Sequence, residues 1–264
     1  MEHKRLFFGF EVAAPWPESF PPGRVLLEKD RHLTIAFLGD ADLEQMTEAL
    51  ASFPGLPYKI GLAGVFDRPI FLPHQSPHVA AWSIRWLEGE GILSTFQKEF
   101  FAWLKGKGMA PKESRKDFLP HVTLARSPFA IREWKEAFEK RPLYISHFCL
   151  YESLGSSRYE VKWTCPALAP FEEKEHTADI AYLVRGLSMR EIHCHAQLAL
   201  SFRFPPLVNY FSFERKETLD EIIESLNQVI GRADEAIGCP FKAASYSGKV
   251  IERQVLEWEM IIDV

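Results

Sequence analysis

Several things are missing from this chain of 264 residues. It has four cysteines, Cys149, Cys165, Cys194 and Cys239, with no CxxC pair and no zinc-ligand spacing among them. That removes zinc modules and thioredoxin-like redox motifs from consideration and points to free, mostly buried thiols of a reducing compartment. No apolar run approaches the roughly 20 residues that a membrane-spanning helix needs. The opening "MEHKRLFFGFEVAAPWP" is basic and then apolar, as a secretory signal would be, but Glu11 interrupts the apolar run and no small-residue cleavage site comes after it. A soluble, cytoplasmic protein without a membrane partner is expected. No repeat of fixed short period is present either, which excludes solenoids and propellers.

Hydrophobic residues make up 47% and charged residues 25% of the chain, the balance of an ordinary folded protein. The net charge of −5 is unevenly spread. Residues 171–264 hold 10 Lys+Arg against 16 Asp+Glu, whereas residues 1–170 are close to balanced. Two units are therefore expected, 1–170 and 171–264, joined through the proline-bearing and then acidic stretch at 163–175. Each is long enough to bury a core of its own. The first carries a basic cluster, "KGKGMAPKESRK" at 105–116, which is either a surface for a phosphate backbone or a solvated loop.

Apolar periodicity predicts strands at "RLFFGFEV", at 78–87, and at "YISHFCLYES" and "YEVKWTCP". Helices are expected over 41–52 after a cap at Asp40, and over 91–105, where Ile92, Phe96, Phe100 and Trp103 recur at steps of three and four before Gly106 and Gly108. The second unit reads as helices at about 187–202 and 218–229, then a closing strand, "QVLEWEMIIDV". The class is α+β.

The chemistry resides in two runs, "HLTIAFLGD" at 32–40 and "HVTLARSPF" at 121–129. Alternation on a strand sends Leu33, Ile35 and Phe37 to one face and His32 with Thr34 to the other. In the second run it sends Val122 and Leu124 inward and His121 with Thr123 outward. If the two strands are neighbours, two imidazoles and two hydroxyls line one cleft, about 5 Å apart. Paired imidazoles suit a reaction that removes one proton and delivers another near neutrality. Phosphodiester cleavage is such a reaction, with hydroxyl or guanidinium donors holding the non-bridging oxygens.

At these residues the chain resembles the 2H phosphoesterase family, and within it the RNA 2′,3′-cyclic phosphodiesterases formerly called 2′-5′ RNA ligases. The resemblance spans about residues 4–168 and rests on "RLFFGF", "HLTIAFLG", "FLPHVTLAR" and "LYESLGSSRYEVKWTCP". It implies a bilobal α+β fold with a pseudo-twofold axis through the cleft, His32 as proton donor to the leaving oxygen, and His121 as the base that activates water. Thr34 and Thr123 would hold the phosphate oxygens, with a cationic contact from Arg126, and no cofactor is implied. The substrate would be RNA with 2′,3′-cyclic phosphate ends.

Other histidines read differently. His74 and His78 sit in a proline-bearing loop and are expected to be solvated, and His193 and His195 lie two apart on a helix, a spacing that does not put them on one face for a metal. Lys116 and Asp117 precede the second motif and cap a turn. The second unit resembles a shortened archease, a smaller α+β protein that assists the GTP-dependent RNA ligase of tRNA splicing and repair. "HTADI", "ESLNQVIGRADEAIG" and the final "KAASY...W...IIDV" carry that likeness. It implies a site for Ca2+ or Mg2+ made by Asp179, Asp263 and Val264, and the ligase as partner. Two further readings stay open: a non-catalytic accessory of the ligase, and a 2H enzyme acting on 2′-5′ linkages or cyclic nucleotides.

Overall fold

The computed structural model describes residues 3–89, 91–112, 118–175, 179–245, 251–252 and 254–264. The end of the basic cluster, Lys116 and Asp117, the His-Thr-Ala of "HTADI" and the tyrosine of "KAASY" lie outside the described residues.

In chain order the first unit comprises β1 (His3–Ala13), β2 (Arg24–Val25), β3 (His32–Asp42), α1 (Leu43–Leu50), β4 (Leu62–Leu72) and β5 (Val79–Trp86). It continues with α2 (Ile92–Gly106), β6 (His121–Arg126), α3 (Ile131–Glu136), β7 (Pro142–Gly155) and β8 (Arg158–Pro166). Its strands form one antiparallel sheet in the order β1-β3-β6-β5-β4-β7-β8, with β2 beside β6. Because β1 also pairs with β7, the sheet curls into a barrel-like ring. Its core is largely aromatic. Phe8, Phe10 and Phe148 meet Phe96 and Phe100 of α2, with Phe8 and Phe100 edge to face at 4.8 Å. Leu93, Phe96, Phe100 and Leu104 make the buried stripe of α2; Phe96 and Phe100 stand where the spacing puts them, while the expected Ile92 and Trp103 are only partly buried at its margins.

The second sheet is built from β9 (Phe171–Lys174), β10 (Ile180–Gly186), β11 (Ala243–Ser245), β12 (Ile251–Glu252) and β13 (Leu256–Asp263), with α4 (Met189–Arg203) and α5 (Leu219–Ile237) between β10 and β11. Its order is β11-β13-β10-β9, with β12 also on β13. A capping box opens α5, where Thr218 and Glu221 satisfy each other's backbone N–H groups. That helix then runs well past the expected stop near 229, carried by the buried Ile222, Leu226, Val229, Ile230 and Ala233.

Three expectations change here. The helix expected from 41 begins at Leu43, since β3 extends to Asp42 and it is Asp42 whose carboxylate accepts from the N–H groups of Glu44 and Gln45. The stretch 163–175 is not a free linker: Leu168 bridges to Ile60, and the acidic run is strand β9. Finally, β4 was not anticipated, because Asp67, Arg68 and Pro69 interrupt its apolar pattern.

Helix α4 is buried around most of its circumference. It packs on β10 on one side and against β4 and β7 of the first sheet on the other, where Ala63, Leu87 and Tyr144 join the second core. Tyr144 meets Phe171 and Phe202 at ring distances of 5.6 and 5.4 Å. Between the two sheets His195 of α4, 1% exposed, donates from Nδ1 to the Arg185 carbonyl and from Nε2 to the Glu88 carboxylate. Burial works against the charged ring, but the bond to Glu88 and its negative charge outweigh it and raise the His195 pKa above the usual value. His193 turns the other way, to Ser225 at 3.0 Å, and burial lowers its pKa to about 4.

Candidate active site

His32 and His121 each stand first in their strand. In both, the ring is tethered to the carbonyl two residues back: His32 Nδ1 to Asp30 at 2.9 Å, His121 Nδ1 to Leu119 at 2.8 Å. A carbonyl can only accept, so each neutral ring carries its proton on Nδ1 and leaves the Nε2 lone pair facing away from the backbone.

Strands β3 and β6 are antiparallel neighbours that meet at the pair Leu33 and Val122. Counting one residue outward places His32 opposite Thr123 and Thr34 opposite His121. The two imidazoles are thus diagonal partners on one face, roughly 7–8 Å apart at Cβ, rather than directly opposed.

The alternation expected for both runs breaks at the same position. Opposite β1, Phe8 pairs with Ala36 and Gly9 with Thr34, leaving Ile35 as an extra residue; opposite β5, Ala80 pairs with Ala125 and Ala81 with Thr123, leaving Leu124 extra. Each is a β-bulge, which reverses the parity of the residues beyond it. Ala36 and Ala125 are consequently buried, while Phe37 and Arg126 turn to the histidine face. The expected inward direction of Phe37 is therefore corrected. The same inversion brings Arg126 to the cleft, where its charge bears on both imidazoles.

Other residues complete the site without any sequence signal of their own. His32 lies against Phe7 at 4.7 Å, Tyr151 at 5.3 Å and the edge of Tyr159 at 4.8 Å. Asp30, 1% exposed, accepts from the Tyr159 N–H at 3.0 Å and so ties the β7–β8 hairpin to the loop that carries His32. Gly9 is obligatory for the strand spacing, since a Cβ there would lie 2.7 Å from the Leu33 carbonyl oxygen. Burial pushes the Tyr151 hydroxyl upward and the Cys149 thiol to about 11, so neither supplies a proton acceptor near neutrality.

Electrostatically the cleft rejects extra positive charge. Burial above all, with Arg126 and His121 adding to it against the pull of the Asp30 carbonyl, lowers His32 to about 4. Burial and Arg126 lower His121 as well, against the Leu119 carbonyl. Shifted in this direction, both rings favour the neutral form near neutral pH.

No family model and no curated protein matches this chain. Among solved structures, Escherichia coli LigT in apo form is 22% identical, covers 64% of this chain and 99% of its own, with a TM-score of 0.45. A structure described as a phosphoesterase is 21% identical over 63% of this chain and 99% of that one, TM-score 0.43. TT0787 of Thermus thermophilus is 19% identical over 62% and 98%, TM-score 0.43. At such likeness, chemistry has to be read from the cleft.

The residues expected to hold a cation sit at the far end of the second sheet. Ile180 pairs with Ile262, so Asp179 stands opposite Asp263 by register. These two carboxylates suit a hard cation. Val264, the third expected donor, presents its main-chain oxygen to the Lys242 ammonium. Among the described residues no group of three or more His, Cys, Asp or Glu side chains is placed to hold a metal. His74 and His78 are exposed. No helix among the described residues is long and apolar enough to cross a membrane.

Proposed function

We propose that the chain hydrolyses RNA 2′,3′-cyclic phosphate ends to 2′-phosphomonoesters. One observation carries the reading: two imidazoles with identical backbone tethers present bare Nε2 atoms diagonally across one strand pair, beside two threonines and Arg126. Water attacks phosphorus and gives its proton to Nε2 of His121. The O3′–P bond breaks, and O3′ takes a proton from the imidazolium of His32. Thr34, Thr123 and Arg126 hold the non-bridging oxygens as charge gathers on them. The assignment of His32 as acid and His121 as base rests on the 2H resemblance.

A neutral resting His32 is consistent with this scheme. The anionic phosphodiester itself supplies the charge that makes protonation of His32 favourable, so the acid is generated where it is needed. The test is hydrolysis of a cyclic-phosphate oligonucleotide in the presence of EDTA. Turnover by the wild type and loss in His32→Ala and His121→Ala are expected; equal rates in all three would overturn the proposal and leave the accessory reading, in which the chain presents RNA ends to a GTP-dependent ligase. The position of phosphate in the product, read by phosphorus NMR, separates cyclic-end hydrolysis from action on 2′-5′ linkages or cyclic nucleotides.

The second unit belongs to the same proposal as an archease-like module linked to RNA ligation and repair. Asp179 and Asp263 would take Ca2+ or Mg2+ if Lys242 gives up the Val264 oxygen. Calorimetric titration with Ca2+ of the wild type and of Asp263→Asn is the check, and identical heats would remove the cation from the account.

A further inference from the structure

The bulge at Ile35 brings Phe37 to the histidine face, and two cations converge on its ring. The Arg5 guanidinium carbon lies 5.3 Å from the ring centroid and the Lys112 ammonium 5.6 Å. Phe37 is linked to the histidine pair by one further ring: Phe7 stacks on it at 6.1 Å and lies 4.7 Å from His32.

Lys112 is held there by the backbone. Its N–H donates to the Phe37 carbonyl at 2.7 Å, a one-residue antiparallel bridge. Gly39, at φ +79°, leaves the room its side chain uses, since a Cβ at that position would come within 3.0 Å of Lys112 Cε and Nζ. Among the described residues neither Arg5 nor Lys112 has a carboxylate within ion-pair distance, although Asp40 stands opposite Arg5 in the strand register. Two like charges thus share one aromatic ring with no counter-ion among the described residues. Such an arrangement is relieved by an anion.

Resting on the proposed phosphodiesterase reading, we infer that Arg5 and Lys112 form a second phosphate subsite, which makes the substrate a polynucleotide rather than a single nucleotide. A strand ending in a cyclic phosphate has its next phosphate on the 5′ side of the terminal nucleoside. The subsite holds that phosphate while the cyclic one lies between His32 and His121. The basic cluster at 105–116 thereby acquires a role through Lys112, which is bridged to β3.

The experiment compares the full-length wild type with Arg5→Gln/Lys112→Gln in binding a fluorescent single-stranded RNA that ends in a 2′-phosphate, and in binding a nucleoside 2′-monophosphate, from about 50 to 200 mM salt. Each single-strand phosphate neutralised contributes about 0.7 to the slope of log K against log salt, so the double variant, which loses the one phosphate that the pair holds, should flatten the RNA slope by about 0.7. Mononucleotide binding should be unchanged, and Lys112→Arg should keep the wild-type slope. An unchanged RNA slope, or an equal loss for the mononucleotide, overturns the subsite. Absence of hydrolysis by the wild type would instead sink the catalytic reading while leaving the slope comparison valid.

Discussion

Filling the cleft with sulfate is expected to turn His32 from a base into an acid. Its pKa of about 4 means that at pH 7 roughly one molecule in a thousand carries the imidazolium. An anion about 4 Å from the ring contributes on the order of 4 kcal/mol at the effective dielectric of a protein surface. At about 1.4 kcal/mol per pKa unit that is a rise of about 3, which brings His32 to near neutrality. Sulfate is the useful probe because its charge is fixed over this range. Proton NMR of the imidazole Cε1–H, assigned by its loss in His32→Gln, should show a midpoint near 4 without sulfate and near 7 at saturation. By linkage, sulfate affinity should fall close to tenfold for each pH step upward between those midpoints. A midpoint at an ordinary histidine value without ligand, or one that ignores sulfate, would refute the account of how the acid is generated.

Other expectations concern the fold. His32 and His193 both stay neutral in the folded chain down to about 4, whereas the unfolded chain takes up protons near 6.5. The stability they allow is fully present above pH 6.5 and lost as pH falls toward 4, by up to about 3 kcal/mol for each, measurable by urea unfolding at stepped pH. His195 behaves oppositely: its folded pKa is raised, so its contribution is complete below about 6.5 and disappears as pH rises through the folded value. Glu88→Ala leaves that buried ring unpaired and should cost about 3 kcal/mol, while Glu88→Gln should cost less and abolish this alkaline slope. Gly9→Ala must displace β3 from β1 beside His32, lowering the urea midpoint by the equivalent of about 1–3 kcal/mol and reducing turnover.

How much was legible in the sequence depends on how locally each feature is encoded. Both histidine strands, their threonines and the shared face of His32 with Thr34 needed only alternation, and α2 needed only its spacing of aromatic residues. The direction of Phe37 and Arg126 was hidden, because a bulge belongs to a strand pair and leaves no mark on one strand alone. The aromatic wall of His32 is drawn from Phe7, Tyr151 and Tyr159, and the bond from Asp30 to Tyr159 crosses 129 positions. Such contacts are set by the closing of the sheet between β1 and β7. Pairing of His195 with Glu88 was equally invisible, since the helical spacing that separated it from His193 says nothing about which distant carboxylate it meets.

Helix α4 carries one more implication. Its two apolar sides belong to different sheets, so a cut between Pro166 and Phe171 would strip the lining from Ala63, Leu87 and Tyr144 on one piece and bare the helix on the other. Expressed apart, each fragment would be sticky and prone to precipitate. Anyone dissecting this chain should assay it whole.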